Sequence, residues 1–336
     1  MSKIMTDLGK VSLDAYTGQV KDKYSKSEMD QMIRGAVEEA IGGKWESGSS
    51  TAFYRFLDNK NKVFAVMAEM MPVAINASLA GRFDGLADFK DEAMGDETSF
   101  QVMDNRLFKV VSSARGNQSV DRQTIVDQTF RVPTVAKTIK IYAELDMFMA
   151  GRIDWADMIN RVSESFANEV GLMISNAIYD SYNDVNTDNR ATGAFDADTL
   201  DDIIEHVKAS TGAPSVQILG ASSALGRVTD GFGYSDAARD RANNLGYWGE
   251  FRGASMFQLP QAYVAKTRDF AVNRSYVIIA PAGEKIAKVA FEGAPFIAMN
   301  EAQMRNDLQP EFLYQRRVGA AAIVTPNDMY GLYRFA

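Results

Sequence analysis

The sequence predicts an α+β fold, and three observations carry that expectation. Residues 99–142 form a polar, strand-like stretch; an unusually long amphipathic helix follows at once; apolar helices then alternate with short buried strands. At 336 residues the chain can bury a sizeable core, and its length suggests about two domains.

The first 60 residues read as an arm. In "SKSEMDQMIRGAVEEAIGG" (25–43) Ser25 and Glu28 stand at capping-box spacing, and Gly42–Gly43 supply a stop. Met29, Met32, Ile33, Ala36, Val37 and Ala40 line one side of this helix, which is expected to pack on something other than the main body. "SGSS" (47–50) is linker-like, and "KVFAVMAEMMPVAINASLA" (62–80) belongs to a core. Residues 83–97 carry six carboxylates against Lys90.

From Ser99 to Tyr142, Val, Thr, Ile and Phe alternate with charge, which predicts a two-stranded ribbon lacking a thick core of its own. Seven cations face three aspartates between Asp104 and Lys140, in a chain whose net charge is −8. The long helix starts at an Asp154 cap. Its apolar residues Trp155, Ile159, Val162, Phe166, Val170, Met173 and Ala177 recur at helical spacing. Over 154–182 it would measure roughly 40 Å.

Beyond it, a helix from Asp198 to Ala209 presents Leu200, Ile203, Ile204 and Val207 on one face. "SVQILG" (215–220) and "SYVIIAPAG" (275–283) read as buried strands, and alternating strands close the chain from 287 onward. The stretch "LGYWGEFRGASMFQLPQ" (245–261) threads Gly246, Gly249 and Gly253 through aromatics. Tight turns or close backbone approach account for the glycines, with Trp248, Phe251 and Phe257 filling the adjoining core.

Little catalytic chemistry is available. Cysteine is absent and His206 is the one histidine, which removes thiolate chemistry, disulfides and two-histidine metal sites. His206 itself reads as a helix-edge residue. The phosphate-loop pattern is missing, and "GFGYSD" (231–236) lacks the third fingerprint glycine. "DVNTDNRATGAF" (184–195) puts Asn189 where a calcium loop needs glycine and Phe195 where it needs glutamate. "GASSALG" (220–226) does not satisfy GxSxG. Asp201, Asp202 and Glu205 sit on the outer side of their helix, where charge is simply solvated. No catalytic, cofactor or metal residue is expected. The sequence pI of about 4.9 argues against a generally basic, nucleic-acid-coating surface but leaves room for local basic patches. No apolar run reaches the length of a bilayer span, and no membrane partner is expected. The expected location is the cytosol until release by lysis.

A long ribbon without a core is an exposed edge unless something covers it, and a partner subunit is the simplest cover. The order of parts resembles the major capsid proteins of tailed bacteriophages, the HK97-like fold. The resemblance rests on the passage from "TFRVPTVAKTIKIYAELDMFMAG" into "DWADMINRVSESFANEVGLMISNAIYDSY". It extends through "PSVQILGASSALGRV" and "LGYWGEFRGASMFQLP" to "EFLYQRRVGAAAIVTP". It implies an N-terminal arm (1–60), the start of a peripheral domain (61–97), an E-loop ribbon (98–146) and a spine helix (147–192). An axial domain (193–283), peripheral strands (284–322) and a final strand returning to the axial domain (323–336) would follow.

The resemblance further implies a non-enzymatic subunit that assembles as pentamers and hexamers into an icosahedral virion shell around double-stranded DNA. The host cytoplasm would be its location during assembly. Partners would be other copies, portal and scaffolding proteins, a decoration protein, and packaged DNA through weak non-specific contact. Arg106, Lys109, Arg115, Arg122 and Arg131 of the ribbon would then face Asp91, Glu92, Asp96 and Glu97 of a neighbour. Gly231, Phe232, Gly233 and Tyr234 would lie in a loop at the capsomer axis. Some members crosslink copies through a Lys–Asn bond; Lys109 or Lys137 with Asn300 would be the candidates, but nothing local demands it and none is expected. The rival readings are an encapsulin-type nanocompartment on the same fold and, in a different class, a carboxylate-dependent metal hydrolase.

Overall fold

The computed structural model describes residues 26–44, 85–96, 99–102, 108–111, 128–142, 155–229, 236–300, 311–325 and 329–336, together with Gln123 and scattered residues between 51 and 83. Helix α1 spans Lys26–Ile41. It ends as its glycines require: Gly42 has φ +86°, and the Gly43 and Gly42 amides donate to Glu38 O and Glu39 O at 3.0 and 3.1 Å. Val37 and Ile41 of this helix are buried in the chain's own main core. That corrects the expectation of an arm packing away from the body.

A four-stranded sheet has the order β1-β10-β11-β4, where β1 is Ala87–Glu92, β4 Val135–Tyr142, β10 Ala287–Asn300 and β11 Glu311–Ala322. β1 runs parallel to β10, and the other pairs are antiparallel. Helix α2, Trp155–Asp180, crosses this sheet for 26 residues, or roughly 39 Å. Phe166 meets Tyr314 of β11 edge-on, with ring centroids 5.5 Å apart. Through its C-terminal half the buried line runs Val170, Ile174 and Ile178, all at 0% exposure, while Met173 and Ala177 are half-buried. The expected stripe was therefore one residue off there, because the helix is covered from two sides. Gly171 packs under Phe83, where an added Cβ would lie 2.5 Å from the ring.

Beyond α2 lies a six-stranded sheet of order β5-β12-β9-β6-β8-β7. Its strands are β5 (Arg190–Gly193), β6 (Val216–Gly220), β7 (Glu250–Phe251), β8 (Ala254–Gln258), β9 (Tyr276–Pro281) and β12 (Gly331–Phe335). Helix α3, Ala197–Thr211, starts at Asp196, whose carboxylate accepts the Thr199 amide at 3.1 Å, and ends at Gly212 with φ +67°. Its Leu200, Ile203, Ile204 and Val207 cover one face of the sheet. Both faces of β9 are buried: Val277 and Ile279 point to the α3 side, Tyr276 and Ile278 to the core shared with α2. This explains the unbroken apolar run "YVIIA". Short helices α4 (Ser222–Leu225) and α5 (Asp236–Leu245) connect the strands.

A third sheet is a two-stranded antiparallel pair of β2 (Ser99–Val102) and β3 (Gln128–Arg131). The returning half of the ribbon is thus divided. Gln128–Arg131 pairs with β2, whereas Val135–Tyr142 has crossed into the four-stranded sheet beside β11.

Candidate assembly surface

The ribbon leaves the body through a compact root. β10 is interrupted between Glu292 and Phe296, where the register shifts at "GAP". The Glu292 carboxylate accepts hydrogen bonds from the Thr134 hydroxyl, from the Gly95 amide at 3.2 Å and from Arg317 Nη1 at 3.1 Å. One side chain therefore joins the ribbon's return, the 93–96 turn and β11. The Thr134 hydroxyl first, then the Gly95 amide and Arg317, hold this carboxyl below its ordinary value. Phe100, Val132 and Ala290 bury together beneath the pair, and the Lys90 and Lys288 ammonium groups lie 5.8 and 5.5 Å from the Phe100 ring. At Gly319 of β11 the ribbon's return passes so close that an added Cβ would stand 2.3 Å from Pro133 O.

Farther out, the Gln123 side chain clasps the Lys109 backbone: Lys109 N donates to Oε1 at 2.7 Å, and Nε2 donates to Lys109 O at 2.8 Å. The two limbs of the ribbon are held side by side at this point. Beside the clasp, Val110 is 95% exposed, with Phe108 at 52% and Val111 at 47%. Three adjacent apolar side chains facing water on a coreless ribbon form a surface suited to burial against another protein.

The expected charged residues divide as follows. Lys109 and Arg131 are exposed, while Arg106, Arg115, Arg122 and Glu97 lie outside the described residues. Asp91 accepts from buried Arg316 at 2.7 Å within its own chain, and its side chain remains 67% exposed. Glu92 pairs with Lys90, and Asp96 is exposed in the 93–96 turn. Lys137, which the sequence placed on the ribbon, turns back to Glu169 of α2 at 2.7 Å. Sequence reasoning missed Glu292, Thr134 and Gln123. The Gly-Ala-Pro interruption directly after Glu292 was the one available sign of a special position.

The glycine-threaded stretch is mechanical. Gly246, with φ +79°, ends α5, its amide donating to Ala242 O at 2.8 Å. Arg252 and Gly253 form the two-residue turn of the β7–β8 hairpin, with φ +43° and +84°. Arg252 reaches Asp201 at 2.9 Å and Asp198 at 3.3 Å, tying the hairpin to α3. Gly249 faces the Arg241 side chain, where an added Cβ would be 3.1 Å from Nε. Phe251 is buried and Trp248 packs partly against the same core. Phe257 corrects the expectation: it is 50% exposed, because strand alternation turns Met256 inward instead. Gly231, Phe232, Gly233 and Tyr234 lie outside the described residues. His206, Asp202 and Glu205 are exposed on the outer side of α3. A cavity of about 470 Å³ between α2 and residues 260–272 is lined by Asn168, Ser175 and Gln261 among others, without a carboxylate.

A long helix on a four-stranded sheet, a ribbon rooted in that sheet and a second α/β sheet define an HK97-like subunit. The solved structures it resembles include the asymmetric unit of the bacteriophage PhiM1 mature capsid. That match has 10% identity, covers 75% of this chain and 86% of that one, and gives a TM-score of 0.52. The capsid of the native GTA particle matches at 14% identity over 74% of this chain and 87% of that one, with a TM-score of 0.49. The family described as "SPbeta prophage-derived putative capsid protein YonB" matches residues 7–319, and the chain belongs to it. No curated protein matches the sequence.

Proposed function

We propose that the chain is the major shell subunit of a phage capsid, assembling with copies of itself through the ribbon as pentamers and hexamers of an icosahedral shell around double-stranded DNA. The observation that carries the ribbon's role is the exposed Phe108, Val110 and Val111 surface beyond a root tied down by Glu292. A ribbon fixed at its base and apolar toward its outer part is prepared to be covered by another copy. Membership in a prophage capsid family favours a phage shell over a nanocompartment. In this reading the subunit is structural and carries no catalysis. The described residues lining the cavity between α2 and residues 260–272 offer a metal hydrolase no carboxylate. The intended charge pairing runs from Arg106, Lys109, Arg115, Arg122 and Arg131 to Asp91, Asp96 and Glu97 of a neighbour. Glu92 contributes less because Lys90 already neutralises it. Portal and scaffolding proteins complete the proposed partners, with the 231–234 loop at the capsomer axis. Charge reversal at Arg115 and Arg122 tests the ribbon's part: a folded subunit that no longer forms shells is expected, and normal shells from the double variant would sink it.

A further inference from the structure

One end of the six-stranded sheet gathers cations that no carboxylate among the described residues neutralises. Arg227 lies over the Phe335 ring at 5.4 Å, Arg334 over Tyr276 at 5.7 Å, and Arg274 over Phe270 at 5.3 Å. The backbone brings all three together. Arg334 is the register partner of Tyr276, and the Phe335 amide donates to Ser275 O at 2.8 Å. Arg274, directly before Ser275, donates from Nε to Ser223 Oγ at 3.1 Å, and Ser223 lies in the short α4 segment that leads to Arg227.

A small hairpin extends the same edge. Tyr263 and Phe270 form its isolated bridge and stack at 5.4 Å, with Lys266 and Arg268 at its tip. The 264 amide donates to Asp269 O at 2.9 Å, and Gln261 holds both the amide and the carbonyl of Val272, so the base is ordered. Arg227, Lys266, Arg268, Arg274 and Arg334 are all exposed. None has a carboxylate side-chain partner among the described residues, and across segments 216–229, 259–283 and 329–336 the single acidic side chain is Asp269.

This arrangement is informative in a chain of net charge −8. Several cations elsewhere are answered within the chain: Arg252 by Asp198 and Asp201, Arg316 by Asp91, Lys288 by Asp88. A guanidinium resting on a ring is pre-oriented, and its edge donors stay available for a planar or tetrahedral anion. We infer that this end of the six-stranded sheet is a nucleic-acid backbone contact, binding phosphates of double-stranded DNA without reading sequence. The inference rests on the shell reading and gives it a specific DNA-facing surface. The overall negative charge keeps such binding weak and limited to low salt, as a container that must fill and empty requires.

The test is anisotropy of a labelled random-sequence duplex against the purified, unassembled full-length chain, titrated between about 50 and 200 mM salt. Five phosphate contacts predict a log–log salt slope near about −4.5, since each contributes roughly −0.9. R227Q/R274Q/R334Q should reduce it to about −2, and K266Q/R268Q, at the exposed tip where folding is not at issue, should reduce it by about 2 units. Thermal unfolding checks that each variant is folded. Absence of salt-dependent binding by the wild-type chain, or a slope that neither variant changes, would overturn the inference. Loss of assembly in the variants with DNA binding intact would overturn it too, reassigning the face to carboxylates of a second copy. Shells that form normally from a protein unable to bind DNA would leave the shell reading standing. A wild-type chain that binds DNA through this face but forms no shells would count against the shell reading alone.

Discussion

Gly319→Ala puts the ribbon root to a direct test. The added Cβ would stand 2.3 Å from Pro133 O and 2.9 Å from Val132 Cγ1. Ordinary contact needs roughly 1 Å more than the first of these distances, and the obstacle is backbone, so rotamer adjustment offers no relief. Residues 132–134 must therefore move away from β11. That movement carries Val132 out of its small core with Phe100 and Ala290, and it draws the Thr134 hydroxyl from Glu292. Overpacking of this kind costs about 1–3 kcal/mol. Unfolding entropy of about 2.1 cal/mol/K per residue makes that a fall of roughly 1–4 °C in Tm for a chain this long. Because the damage is local, hydrogen exchange is the sharper assay. Amides of Gln128–Arg131 should lose protection, while those of Tyr276–Ala280 in the other sheet keep theirs. Unchanged Tm together with unchanged protection at 128–131 would refute the close-approach argument.

Other outcomes follow from the same geometry. Glu292 is held below its ordinary value of 4.5, so its contribution to stability is complete above that pH and disappears as pH falls through the lower folded value. Protection factors at 128–134, taken relative to the intrinsic exchange rate at each pH, should accordingly fall on acidification below about pH 4.5, and E292Q should flatten that dependence; an identical profile in wild type and E292Q would contradict it. Phe166→Ala removes a ring that is 1% exposed between α2 and β11 and should cost about 3–5 kcal/mol in urea titration. Gly35→Ala, in the interior of α1 with nothing within 4 Å of the new Cβ, should stabilise by about 0.5–1 kcal/mol. Asp91→Ala removes the carboxylate from the Arg316 guanidinium, which is 5% exposed and among the described residues would keep only Asn76 Oδ1 and the Phe291 ring, and should cost about 1–3 kcal/mol. Arg316→Met should cost less than Asp91→Ala, and the reverse order in denaturation would show that the ion pair itself stabilises the fold.

The fold was legible where periodicity was strong. The α2 stripe, the apolar face of α3 and the run 276–280 each announced their element, because one buried face or two leave a regular pattern in the chain. What escaped was set by long-range packing. Nothing local tells that Val135–Tyr142 would leave the ribbon to pair with β11, or that Ala87–Glu92, read as an acidic patch, is a parallel edge strand beside β10. Ile174 and Ile178 replaced Met173 and Ala177 as buried positions because neighbours close on α2 from more than one direction. The proposed assembly surface showed in the sequence only as composition, a basic ribbon beside an acidic segment. The contacts at its root did not show, since Thr134 and Gly95 lie 158 and 197 positions from Glu292 along the chain. Asp91 and Glu92, expected to face a neighbour, also serve Arg316 and Lys90 at home.

Electron microscopy of the purified full-length chain, wild type beside Val110→Asp, tests the central claim most directly. The account predicts pentamers, hexamers or closed shells from the wild type. It predicts a folded but unassembled subunit from the variant, because Val110 is 95% exposed in the single chain and its substitution costs the monomer nothing it buries. Equal shells from both proteins, or a small discrete oligomer from each, would contradict it.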